Sequence, residues 1–124
     1  MNDIDHDRRR FTRVTLDIPT EVHQGGSVWQ VELIHISLNG IAVTQPEDWD
    51  ADYSHPFNFI LQLDDGGTFE VFAHLIHIEA GTLGFQLEHL GVEQIAPLAK
   101  LLARTLNDDE LVEAELRRLD EINS

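Results

Sequence analysis

The sequence predicts a mainly β fold, a six-stranded antiparallel barrel followed by C-terminal helices. Six short segments alternate apolar and polar residues, the period of a strand with one buried face. Clusters of Gly, Asp, Asn and Pro separate these segments, most of them at hairpin distance. Towards the C-terminus the spacing becomes helical, with Leu98, Leu101, Leu102 and Leu106 on one side. Strands joined in this way favour a closed barrel, because closure leaves no exposed edge.

The elements follow in order. Residues 1–13 are an arm: Asn2-Asp3-Ile4-Asp5-His6-Asp7 has too little apolar content to pack, and basic residues come after it. The alternation over 14–23 predicts the first strand, with Val14, Leu16, Ile18, Thr20 and Val22 inward. Pro19 falls on the outward set and cannot donate to a ladder, so an edge position or a bulge is expected there. Gln24-Gly25-Gly26-Ser27 supplies a hairpin turn, and a second strand runs over 28–36. Residues 37–40 turn the chain into a short third strand at 41–44, and 45–56 form a loop rich in Pro, Asp and Trp. Phe57, Phe59, Leu61 and Leu63 alternate with polar positions in a fourth strand, closed by Asp64-Asp65-Gly66-Gly67. The fifth strand, 68–79, has a mixed pattern in which Phe69, Val71, Ala73 and Leu75 oppose Phe72, Ile76 and Ile78. A bulge or burial on both faces would produce it. Leu83, Phe85 and Leu87 make the sixth strand. In the helical tail Pro97 marks a first turn or a kink. Asn107-Asp108-Asp109-Glu110 reads as an N-cap with an acidic first turn, and Leu111, Leu119 and Ile122 give the last helix a side to lay on the barrel. The expected organisation is one domain over 1–124, with the arm at 1–13, the barrel at 14–90 and the helices at 91–124.

Composition narrows the function. A chain of 124 residues, 42% hydrophobic and 25% charged, is one domain by length and can build its own core. It has no cysteine, which excludes disulfides, zinc–thiolate sites and thiol catalysis. No apolar run approaches the roughly 20 residues of a membrane span, and residues 1–13 contain no signal-like apolar stretch, so a cytoplasmic location is expected. The formal charge of −15 repels nucleic-acid polymers and anionic membranes. A small ligand with one or two phosphates needs only a few arginines, and they are present. Of eight Lys and Arg, four are Arg8, Arg9, Arg10 and Arg13.

A guanidinium offers planar paired donors that fit a phosphate or the O6/N7 edge of guanine, and it stacks on flat rings. The alternative is a solvated charge run offsetting Asp5 and Asp7. His35-Ile36-Ser37-Leu38-Asn39-Gly40 is the second candidate element. His35 and Ser37 are two apart, so a strand projects both to one face, and Gly40 allows either an unusual backbone conformation or a close approach. An ordinary hairpin corner is the competing reading. His74 and His77 are three apart, which places them on opposite faces of a regular strand, and no carboxylate at suitable spacing completes a metal site. No arrangement of carboxylates, or of Ser, His and Asp, signals hydrolysis, so no enzyme activity is expected. Trp29 and Trp49 are expected to cover core edges or the barrel mouth.

Arg9-Arg10-Phe11-Thr12-Arg13 resembles the RxxxR arm of PilZ domains, and the turn from His35 to Gly40 is similar to their (D/N)xSxxG motif. The resemblance covers nearly the whole chain, and it extends to small stand-alone members that include an adaptor engaging a chemotaxis methyltransferase. It implies a barrel that binds cyclic di-GMP, singly or as two stacked molecules, with no further cofactor. By position, Arg9 and Arg13 would grip phosphates and a guanine edge, assisted by Arg8 and Arg10, and Ser37 and Gly40 would contact the other side. His77 would stack on guanine where close relatives carry a larger aromatic. His35 stands where the family pattern has Asp or Asn. A carboxylate accepts guanine N1–H and N2–H together, whereas neutral imidazole has one acceptor nitrogen. The implied function is a monomeric receptor and adaptor whose mobile arm folds over the barrel with ligand and displays a surface to a protein such as a methyltransferase. The alternative is a PilZ-like interaction module that does not bind nucleotide. Single-stranded nucleic acid binding has the fold but lacks a basic groove.

Overall fold

A computed structural model describes residues 11–88 and 90–123. Its six strands are β1 (Pro19–Gln24), β2 (Ser27–Ile36), β3 (Gly40–Thr44), β4 (Phe57–Gln62), β5 (Thr68–Glu79) and β6 (Thr82–Leu87). They form a closed barrel in the order β1-β2-β3-β6-β5-β4, every pair antiparallel. Two helices follow, α1 (Val92–Leu106) and α2 (Asp109–Asn123). The predicted fold class is the observed one.

The inward residues make a dense core. Val22, Val43, Phe57, Phe59, Leu61 and Leu83 are completely buried. Phe85 meets Phe57 and Phe59 edge-on, at centroid distances of 5.2 and 4.7 Å, the arrangement that the ring quadrupole favours. At the end of the barrel where the β1–β2 hairpin meets the 45–56 loop, Trp49 lies 4.7 Å from Trp29 and 5.4 Å from Phe57. Gln24 secures that loop, donating to the Asp52 carbonyl at 2.7 Å and accepting from the Asp52 N–H at 2.8 Å. The tryptophans cover the barrel mouth, as their position in the sequence suggested.

The local expectations need three corrections. The first strand starts at Pro19, not at residue 14. Val14 makes an isolated bridge with Ile36, and residues 15–18 keep the alternation of burial without a ladder. Burial needs one covered face, whereas a ladder needs a partner in register. Pro19 opens β1, and β4 begins to pair only at Thr20, so the missing N–H removes no bond on that side. In β5 the mixed pattern comes from a bulge between Leu75 and His77, and not from burial on both faces, because Phe72, Ile76 and Ile78 are all exposed. The bulge also overturns the expected separation of His74 and His77. His74 sits opposite Gln86 and His77 opposite Gly84, two apart on β6, so both histidines face outward.

The third correction is in the helices, where the cap of the last one moves from Asn107 to Asp108. Pro97 lies inside α1, past its first turn. Asn107 ends α1 in the left-handed conformation, φ 56°, with its N–H donated to the Ala103 carbonyl. The cap of α2 is Asp108, whose Oδ1 accepts the Leu111 N–H at 3.0 Å. Val112 and Leu119 of α2 are buried and Leu111 is half-buried, while the side chain of Ile122 lies outside the described residues. Among the described residues no helix is long and apolar enough to cross a membrane.

Replacing Phe85 by Ala removes the ring between Phe57 and Phe59. Unfolding in urea should show a loss of about 3–5 kcal/mol, larger than for any substitution of an exposed β5 residue such as Phe72.

Candidate ligand-binding cleft

The cleft is built on the outside of the barrel, because the inside is filled. Along one row of the sheet His35 of β2 lies opposite Ala42, Ala42 opposite Gly84, and Gly84 opposite His77 of β5. Two imidazoles therefore stand at the ends of a row whose middle residues are small. A Cβ on Gly84 would overlap the His77 ring, 2.7 Å from Nδ1, so the ring lies directly against the Gly84 backbone. Had the alternation of β5 run unbroken, His77 would have followed Leu75 to the inside. The bulge is what turns it into the cleft.

The β2–β3 turn supplies the polar wall. Ser37 donates its N–H to the Gly40 carbonyl at 2.9 Å, and its hydroxyl donates to Asn39 Oδ1 at 3.1 Å while accepting the Asn39 N–H at 3.3 Å. The Leu87 N–H, donated to the Asn39 carbonyl at 3.0 Å, fastens the turn to the end of β6, and Leu38 anchors it in the core. Gly40 does not use the left-handed region. A Cβ there would sit 3.3 Å from the Phe85 carbonyl, so close approach is the reason for glycine.

Arg13, His35, Ser37, Gly40 and His77 line one cleft of about 390 Å³, within the roughly 300–1,000 Å³ range of small-molecule sites. Arg8, Arg9 and Arg10 lie outside the described residues. The chain next to Arg13 is held from both sides. Val14 pairs with Ile36, and Thr12 donates its N–H to both Glu115 oxygens, at 3.1 and 3.0 Å, and its hydroxyl to Oε2. Phe11 is buried under the guanidinium of Arg118, 4.5 Å from the ring centroid. The sequence reading missed Glu115 and Arg118. The signal for Glu115 was there: it is a carboxylate at helical spacing between Val112 and Leu119, and it is itself buried.

The electrostatics of the cleft differ from those of the whole chain. The chain has 23 acidic residues, yet no carboxylate is among the described residues lining the cleft. Nδ1 of His35 is buried and has no hydrogen-bond partner among the described residues. Burial first, then the positive charge of Arg13 and the nearby His77, hold the His35 pKa below the ordinary 6.5. His74 points elsewhere and pairs with Glu88 at 2.6 Å. Among the described residues no group of three or more His, Asp or Glu could hold a metal ion. Guanidinium and imidazole donors beside a floor of small residues can hold a phosphate and support a flat ring.

Two outcomes follow from this geometry. Gly84→Ala should leave the barrel folded by circular dichroism but displace His77, visible as a changed ring resonance in NMR. His35 resists protonation more in the folded state than in the unfolded chain, so acid favours unfolding through it. Between pH 7.5 and 5.5 the urea midpoint of the wild type should fall further than that of His35→Asn, the difference opening as pH drops below about 6.5.

The chain matches the family model of the PilZ domain over residues 7–104. The Bacillus subtilis inhibitor of motility MotI/DgrA is similar in structure, with a TM-score of 0.64 and 18% identity, covering 80% of this chain and 52% of that one. The chain thus spans about half the length of that protein. The PilZ domain of CeSA from a cellulose-synthesizing bacterium has a TM-score of 0.57 at 21% identity, covering 77% of this chain and 96% of that domain. An uncharacterized Legionella protein has a TM-score of 0.58 at 16% identity, covering 78% of this chain and 96% of its own. These likenesses agree with the barrel. The match over most of the sequence, with Arg13 and the β2–β3 turn brought to one cleft, makes this chain a member of the PilZ domain family.

Proposed function

We propose that this protein is a cyclic di-GMP receptor that acts as a signalling adaptor and has no enzymatic activity of its own. One observation carries the reading. Arg13, the β2–β3 turn and β5 converge on a cleft with cationic and polar walls, in a chain whose formal net charge is −15. Arg13, with Arg8, Arg9 and Arg10 from the preceding arm, would take the phosphates and a guanine edge. Ser37 and Gly40 would meet the ligand from the turn, His35 would face it from β2, and His77 would stack on a base. The ligand binds singly or as a stacked pair, and the protein works as a single-domain cytoplasmic monomer, without DNA or membrane contacts.

The adaptor role rests on the route from the arm to α2. Drawing the arginines onto a ligand pulls on Phe11 and Thr12, which are held by Arg118 and Glu115. Folding of the arm would thereby change the surface that α2 shares with it, for a protein partner such as a chemotaxis methyltransferase. A second reading, an interaction module that binds no nucleotide, is favoured by one feature: the cleft offers no described carboxylate to accept guanine N1–H and N2–H.

Calorimetric titration of cyclic di-GMP separates the two. The wild type should bind, and Arg13→Ala should bind about 10- to 100-fold more weakly, the value of one charge-assisted hydrogen bond. Equal affinities would remove the arm from the site, and no saturable heat in the wild type would leave the second reading. Independently, Glu115→Ala should speed amide hydrogen exchange at Thr12 while the protection of β4 stays as it was.

A further inference from the structure

Among the described residues the cleft is lined by positively charged and chargeable groups and by no carboxylate. His35 has three kinds of neighbour. The segment carrying Arg13 contributes a permanent positive charge, β3 contributes Ala42 with no charge, and β5 contributes His77. No carboxylate among the described lining residues could accompany an imidazolium. The buried Nδ1 of His35 has no partner among the described residues, and a proton on this ring would find no counter-charge among the described residues lining the cleft. A phosphodiester entering beside Arg13 supplies a negative charge at this point. It favours the charged form of an adjacent imidazole as directly as Arg13 opposes it.

We infer that ligand binding in this cleft is coupled to proton uptake by His35, so that the affinity for a phosphodiester ligand rises as pH falls. The inference rests on the nucleotide-binding reading above and adds a regulatory input to it. Linkage makes the effect reciprocal: if bound phosphate draws a proton onto His35, a proton on His35 strengthens the hold on phosphate by the same factor. Between pH 7.5 and 5.5 the affinity should rise about three- to tenfold, the range expected for two charges separated by a partly hydrated cleft. The receptor would then respond to the second messenger more strongly in an acidified cell.

The test is calorimetry with cyclic di-GMP at pH 6.0 in two buffers of different ionisation enthalpy, repeated at pH 7.5. The phosphodiesters and bases of this ligand do not titrate across that window, so a buffer-dependent heat reports protons taken up by the protein. The expected result is uptake at pH 6.0 that disappears in His35→Asn and persists in His77→Asn, even where the latter binds more weakly. The ring resonances of His35 in the wild type, followed by NMR against pH with and without ligand, give the same answer without a variant: the titration midpoint should move upward when ligand is bound. Saturable binding with equal heats in both buffers, uptake that survives in His35→Asn, or a His35 midpoint unmoved by ligand would each overturn the coupling while leaving the receptor reading intact. No saturable heat at either pH would overturn the receptor reading, and the coupling with it.

Discussion

The pairing of β1 with β4 closes the barrel, and the rest of the molecule is arranged around that closure. Thr20 lies opposite Leu61 and Val22 opposite Phe59, which sends all four side chains into the core. A slip of one residue would turn Glu21 and His23 inward, and burying them without partners costs far more than a strand pair can return. The one hydroxyl on the buried side is accounted for, since Thr20 donates to the Ile18 carbonyl at 3.1 Å. Because this register fills the interior, binding groups have room only on the outer face and at the chain's approach to it. That constraint explains why the cleft is made of outward histidines, a turn and the segment at Arg13.

Against this background two irregularities shape the site, a register shift between Leu33 and His35 in β2 and the bulge in β5. The bulge after Leu75 changes which face the rest of β5 presents. It brings His77 out over Gly84 and leaves Ile76 exposed beside it at the cleft's edge. The two small residues in the row, Ala42 and Gly84, then matter as much as the two imidazoles, because they keep the floor low enough for a ring to lie along it.

Much of this was legible in the sequence, and the failures have a common cause. The six strands, the turn at Ser37 to Gly40 and the helical tail were visible because apolar period and turn chemistry are local properties. Residues 15–18 looked like strand because their burial does alternate, while the absence of a hydrogen-bonded partner depends on residues far away in sequence. His74 and His77 were placed on opposite faces by counting, and counting fails wherever an extra residue enters the ladder. The mixed pattern of Phe72, Ile76 and Ile78 announced a bulge without saying where it lay. The tie between Thr12 and Glu115, 103 residues apart, had no local signature except a carboxylate on an apolar helix stripe.

That tie reaches past the family's own boundary. The PilZ match ends at residue 104, before α2 begins, yet α2 supplies the carboxylate and the guanidinium that fix Phe11 and Thr12 beside the cleft. A fragment cut at the family boundary would keep every strand of the barrel and every matching motif. It would also expose the buried ring of Phe11 and leave the Thr12 amide to water. In this protein the part of the chain that lies beyond the shared domain determines how the shared arm is presented.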